Sequence, residues 1–137
     1  MLDEKENIQF QLTEHLIERV EYLIANERDK ELQLFLDDYH YADIAEILDE
    51  LNEDQALYII KLLDSDTTAD VLMELDEDIR EKVLENLSAK EIAEEIEELD
   101  TDDAADMISE LSEERQEEVI SKIEDEEHKA EIEELLT

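Results

Sequence analysis

Residues 52–99 read NEDQALYIIKLL, DSDTTADVLMEL, DEDIREKVLENL and SAKEIAEEIEEL, four twelve-residue blocks that each open on a polar residue and close on leucine. The beat continues outward in both directions, through Leu51, Leu63, Leu75, Leu87, Leu99, Leu111, Ile123 and Leu135. In the blocks from His40–Leu51 to Glu124–Leu135 the ninth position is always aliphatic: Leu48, Ile60, Leu72, Leu84, Ile96, Ile108, Ile120 and Ile132. The eighth is apolar in six blocks, with Glu95 and Glu131 as the exceptions. Position one is usually a helix-capping residue: Asn52, Asp64, Asp76, Ser88, Asp100 and Ser112. Positions five, eight, nine and twelve share a face at 3.6 residues per turn, as Ile44, Ile47, Leu48 and Leu51 do. Each block is therefore predicted to be a cap followed by about two and a half turns of amphipathic helix. Asn52 with Gln55 and Ser88 with Glu91 have capping-box spacing.

Helices this short are marginal alone, because nucleation is costly and about 12–15 residues are needed even for good formers. They must lay their stripes against neighbours. Successive blocks pairing as antiparallel hairpins, stacked in a row, would bury one continuous core. The period is not that of tetratricopeptide, ankyrin or HEAT repeats, and caps every twelve residues would interrupt a coiled-coil seam. Before His40 the pattern loosens. Ile8, Leu12, Leu16, Val20, Leu23 and Ile24 suit one longer helix over Asp3–Ala25. Asn26–Asp29 reads as a break, and Arg28–Tyr39 as a degenerate block with Leu32, Phe35 and Leu36 on its stripe. The expectation is an all-α solenoid of about ten short helices, one domain over residues 1–137, with no strand.

Composition excludes several function classes. Glycine, proline and cysteine are absent. Without glycine there is no phosphate-cradling loop and no EF-hand, so the Asp-x-Asp pairs Asp64/Asp66, Asp76/Asp78 and Asp100/Asp102 read as a cap plus a first-turn acid. Without cysteine there is no disulfide, thiolate metal site or cysteine nucleophile, which fits a reducing compartment. No apolar run approaches the ~20 residues of a membrane span and no signal peptide opens the chain. A soluble, cytoplasmic piece that neither inserts into a membrane nor transports by itself is expected. His15, His40 and His128 are far apart in sequence and form no catalytic or zinc motif, so an enzyme is not expected.

The net charge is −36, from 47 acidic and 11 basic side chains. It excludes nucleic acid as a direct partner, since binding there needs basic groups to displace counterions, and it disfavours anionic membrane surfaces. Much of it is a solvated helical surface, the plain reading of Glu94, Glu95, Glu97 and Glu98. The functional reading is a field that concentrates cations. Asp102, Asp103 and Asp106 form the densest acidic group at a helix start, beside the small Ala104 and Ala105. Spacings of three and four set them on one side. Asp70, between Ala69 and Val71, is a similar short carboxylate in an earlier block. Mg²⁺ takes hard oxygen ligands and keeps several waters, so one or two carboxylates from each of two surfaces suffice. The competing reading is that Asp102 and Asp103 only complement the helix dipole. His40, opening a block, is read as a cap or packing residue, since Mg²⁺ prefers oxygen to imidazole.

The stretch from about Tyr41 to Leu136 resembles the cytosolic N-terminal domain of MgtE-type magnesium transporters. The likeness is carried by His40-Tyr41-Ala42-Asp43-Ile44-Ala45, Thr68-Ala69-Asp70-Val71-Leu72, Leu99-Asp100-Thr101-Asp102-Asp103-Ala104-Ala105-Asp106 and Ile132-Glu133-Glu134-Leu135-Leu136, in that order. Tyr41 stands where the family usually has proline. The resemblance implies a right-handed superhelix, followed in the parent protein by a pair of CBS domains and a membrane pore, the whole a homodimer at the cell membrane. It implies weakly bound Mg²⁺ between this domain and the CBS pair, holding the cytosolic assembly compact and the pore closed. The ligands on this side would be Asp70, Asp102 and Asp106, with Asp103 adjacent. The chain stops at Thr137, about where the family continues into its CBS region, so an excised domain or truncated relative is expected. Two rival readings are an acidic interaction solenoid without an ion role, like the helical stacks of flagellar motor switch proteins, and an acidic chaperone or mimic for a basic partner.

Overall fold

The computed structural model describes residues 13–137, and among them are ten helices and no strand. The helices are α1 (Glu14–Ala25), α2 (Asp29–Asp37), α3 (Tyr41–Asp49), α4 (Glu53–Leu62), α5 (Ser65–Glu74), α6 (Glu77–Glu85), α7 (Ala89–Glu97), α8 (Thr101–Ser109), α9 (Glu113–Ser121) and α10 (Glu126–Leu136). From α3 onward each helix occupies one twelve-residue block. The starts are set where the capping residues fall. Asn52, Asp64, Ser88 and Ser112 accept the N–H three residues on, and both expected capping boxes are closed, Asn52 with Gln55 and Ser88 with Glu91. His40 is a cap as well, its Nδ1 accepting the Ala42 N–H at 3.2 Å. Asp76 and Asp100 occupy the cap position without making a side-chain cap bond.

Packing follows the stripe. The eighth-position residues Ile47, Ile59, Val71, Val83, Met107 and Val119 are all buried, as are seven of the eight ninth-position aliphatics, with Ile120 half-buried. They belong to one cluster continuous from Val20 to Ile132. Each such side chain withdrawn from water contributes about 1.5–3 kcal/mol, which short helices cannot obtain in isolation. The main contacts join helices two apart: α3 with α5, α5 with α7 and α7 with α9 in one row, α4 with α6 and α8 with α10 in the other. Of the helices adjacent in sequence, α1 and α2 pack together closely, whereas α3 on α4 and α8 on α9 touch less. The result is an all-α superhelix of two helix rows around a shared core.

Three expectations need correction. The longer helix over Asp3–Ala25 does not run through Thr13, whose extended backbone and hydroxyl cap begin α1 at Glu14; Ile8 and Leu12 lie outside the described residues. Leu135 ends the twelve-residue beat but is 53% exposed on α10. Position five is not uniformly apolar. It holds Thr68, Arg80, Gln116 and His128 in four blocks, and each is bonded to a helix C-terminus.

That last point follows from the missing glycine. Helices commonly end on a left-handed glycine that satisfies the orphan carbonyls. Here the only left-handed residue among those described is Glu27, at φ 51° between α1 and α2. Backbone N–H groups at the helix ends satisfy part of the last turns, and side chains from elsewhere supply further donors. Thr68 Oγ1 donates to Ile60 O, Gln33 Nε2 to Leu62 O, and Gln116 Nε2 to Leu111 O. His128 Nε2 lies 3.2 Å from Ile96 O, which can only accept, so that nitrogen carries the proton. Arg80 Nη1 donates to Leu72 O and Leu75 O, and Arg115 Nη2 to Leu84 O and Leu87 O. Arg80 also forms a two-pronged pair with Glu110, Nε to Oε1 at 2.9 Å and Nη2 to Oε2 at 2.7 Å, tying α6 to the end of α8.

Candidate metal centre

The turn from α7 into α8 gathers carboxylates. Leu99 is buried and fixes the chain in the core, so Asp100 emerges at the surface as the residue before α8. Its carboxylate makes no cap bond and stays free of the helix N–H groups. Asp102 Oδ1 accepts the Asp103 N–H at 3.0 Å, which turns its side chain back over the first turn. Behind them Ala104 and Ala105 are buried and hold α8 against the core. Asp100, Asp102 and Asp103 each offer an oxygen, all within 4.8 Å of one another. Asp100 and Asp102 are exposed and Asp103 is half-buried.

The electrostatics show crowding. The Asp103 carboxyl is pushed above the ordinary carboxylate range, first by loss of solvent and then by Asp102, Asp100 and Asp106. An added cation would relieve that repulsion. Octahedral Mg²⁺ with oxygens at about 2.1 Å sets neighbouring ligands about 3 Å apart and opposite ones about 4.2 Å apart. Three oxygens inside 4.8 Å of one another are close to that scale. The helix start opposes a cation with roughly half a positive charge, against three carboxylates. The donor set therefore fits a hard cation, with its remaining positions open to water or to another surface.

The four aspartates expected from sequence do not form one cluster of the kind Asp100 makes with Asp102 and Asp103. Asp106 lies a turn further along α8, exposed, where its charge still reaches Asp103. It edges a groove of about 350 Å³ shared with Met73, Arg80 and Ser109, whose hydroxyl donates to Asp106 O at 2.6 Å. Asp70 stands exposed on α5 between the buried Ala69 and Val71. α5 packs chiefly on α3 and α7, whereas α8 packs chiefly on α10. Sequence reasoning missed Asp100 by assigning it to capping. The Asp100-x-Asp102-Asp103 spacing was a signal for the group, but only the geometry shows that the cap bond is not made. His40 and His128 are taken up by the backbone bonds already described.

The sequence model of the family described as the MgtE intracellular N domain matches residues 39–137, well over half of the chain. A solved structure described as the crystal structure of the soluble part of a magnesium transporter superposes with a TM-score of 0.76 at 21% identity, covering 90% of this chain and 48% of that one. At that identity the likeness concerns the fold, and this chain spans about half of that solved chain's length. No curated protein matches the chain.

Proposed function

We propose that this chain, which belongs to the family of MgtE intracellular N domains, is the magnesium-sensing regulatory domain of a magnesium transporter. It acts on the cytoplasmic face of the membrane by docking onto adjacent CBS domains through Mg²⁺ bridges. The family is a transporter domain and not an enzyme family, and the role proposed is regulatory. No helix among the described residues is long and apolar enough to cross a membrane.

The observation that carries the reading is the outward-facing Asp100, Asp102 and Asp103 triad on a chain of net charge −36. With little free Mg²⁺, like charges on this domain and an acidic neighbour repel and the domain swings away. As Mg²⁺ rises, ions bridge the triad, Asp106 and Asp70 to oxygens across the gap, and the docked, pore-closing arrangement gains population. Only ions that bind the docked form more tightly can shift that balance. Each site is weak because Mg²⁺ gives up water reluctantly, and several together sharpen the response. Charges more than about 8 Å apart are screened in cell salt, so the bridging needs close approach.

NMR titration with MgCl₂ tests this on the chain alone and on the chain joined to its CBS region. Shifts confined to Asp70 and Asp100–Asp106, small alone and larger in the joined protein, are expected. Equal shifts at every acidic residue in both proteins would leave a diffuse counterion cloud and would favour an interaction solenoid without an ion role.

A further inference from the structure

Glu95 breaks the register in the middle of the stack. Its six apolar counterparts at the eighth position are buried, and Glu131, the other exception, is exposed on the terminal helix α10. Glu95 is half-buried, with one carboxylate oxygen turned inward. It lies on α7, which packs on α5 to one side and α9 to the other, and its Oε2 is closed off from solvent with no hydrogen-bond partner. The charges acting on it are negative: Glu94, Glu91 and Glu98 from its own stretch, and Asp64 from the start of α5. The remaining acids of α5, Asp66, Asp70 and Glu74, are exposed. On α9, Glu113, Glu114, Glu117 and Glu118 are exposed, and the one cation, Arg115, is taken up by Leu84 O and Leu87 O. An ionised carboxylate in this seam would have neither water nor counter-charge around its inner oxygen.

We propose that Glu95 is a proton-operated latch at the centre of the superhelix: protonated it lies in the α5–α7 seam, and on losing its proton to solvent it leaves the seam and loosens that junction. Burial in the first place, and then the neighbouring carboxylates, push its carboxyl up to about 8. The latch thus works just above neutrality, where ordinary carboxylates have long been ionised. Glu95 is not a member of the acidic triad.

The test is a ¹³C NMR titration of the Glu95 side-chain carboxyl in the full chain from pH 5 to pH 10, with amide exchange measured over the same range. A midpoint above pH 7 is expected. In addition, opening of α5 and α7, after correction for intrinsic base catalysis, should rise about tenfold per pH unit up to that midpoint and level off beyond it. Glu95→Gln should abolish the excess rise. Glu95→Leu, which restores the aliphatic register, should do the same and covers the case in which the Gln variant fails to fold. A midpoint below pH 5.5 overturns the latch. So does a high midpoint with pH-independent opening, or an excess rise that persists in either variant.

Discussion

Replacing Arg80 by alanine should reveal how much of this glycine-free stack depends on borrowed helix caps. The guanidinium makes four bonds: two to Glu110, and one each to the carbonyls of Leu72 and Leu75. The side chains of the pair are 14% and 24% exposed, so water can replace only part of what is lost. A hydrogen bond to a charged group contributes about 1.5–3 kcal/mol, and breaking a buried pair from one side costs about 3–5 kcal/mol. Allowing for the partial exposure, Arg80→Ala should destabilise by about 3 kcal/mol. Arg80→Lys keeps the charge but not the fork and should cost about 1.5 kcal/mol. Glu110→Gln should cost about 1 kcal/mol, because the two carbonyl bonds of Arg80 survive.

Urea unfolding followed by far-UV circular dichroism gives these values. A double-mutant cycle between the two positions isolates the pair, with an expected coupling of about 1–2 kcal/mol. Because the pair is largely shielded, most of that coupling should persist in 0.5 M NaCl. An Arg80→Ala cost under about 1 kcal/mol, or a coupling that salt removes, would refute the view that this arginine is a structural cap and not a surface ion pair.

The remaining predictions use the same principles. Ser88→Ala should cost about 1 kcal/mol in urea unfolding, whereas Asp100→Ala, at an equivalent cap position without a cap bond, should cost under about 0.5 kcal/mol. Glu27→Gly relieves the one left-handed backbone among the described residues and should stabilise by about 1 kcal/mol. Raising NaCl from low to physiological strength should raise the melting temperature, since a net charge of −36 repels itself, and a fall would contradict that account. For Glu95 the folded carboxyl is raised to about 8, so the folded state holds a proton that the unfolded state releases near pH 4.5. Its stabilising contribution is complete below pH 4.5 and is lost as pH rises toward 8. After allowance for solvent screening the loss is about 2 kcal/mol, absent from Glu95→Gln in a pH series of melts.

The fold was legible because two signals coincide. The aliphatic beat sets where each helix faces, the polar first position sets where it starts, and both recur at one period from His40 to Leu135. The row-to-row contacts were less legible, because a repeat says that neighbours must stack without saying which. Position five shows a deeper limit. From sequence, Arg80, Gln116 and His128 look like interruptions of a stripe, and only the positions of Leu72, Leu111 and Ile96 carbonyls show them as caps. The acidic site was half legible. Asp102 and Asp103 stood out by density, while Asp100 was hidden because an aspartate at a cap position ordinarily caps, and whether it does is decided by a rotamer.

The absence of glycine and the excess of acid are connected. A glycine-free chain needs donors at its helix ends, and Arg80 and Arg115 are drawn into that task, Arg80 pairing in addition with Glu110 and neither with the acids of the turn into α8. Arg19 and Arg28 both lie on Glu31, near the N-terminal end of the stack. With only 11 basic side chains in all, the turn into α8 is left to its own repulsion: every charge found to act on Asp103 is a carboxylate. A field of one sign with no internal counter-charge must be answered from outside, by protons or cations. Glu95 takes the first course where solvent is excluded, and Asp100, Asp102 and Asp103, facing outward, are open to the second. Supplying a cation internally beside the triad, for example by Asp106→Arg, three and four residues on from Asp103 and Asp102 on the same helix, should therefore lower the Asp103 pKa and weaken any magnesium response together. An Asp103 carboxyl that shifts while the magnesium response stays unchanged would separate the two and show that the ion binds elsewhere.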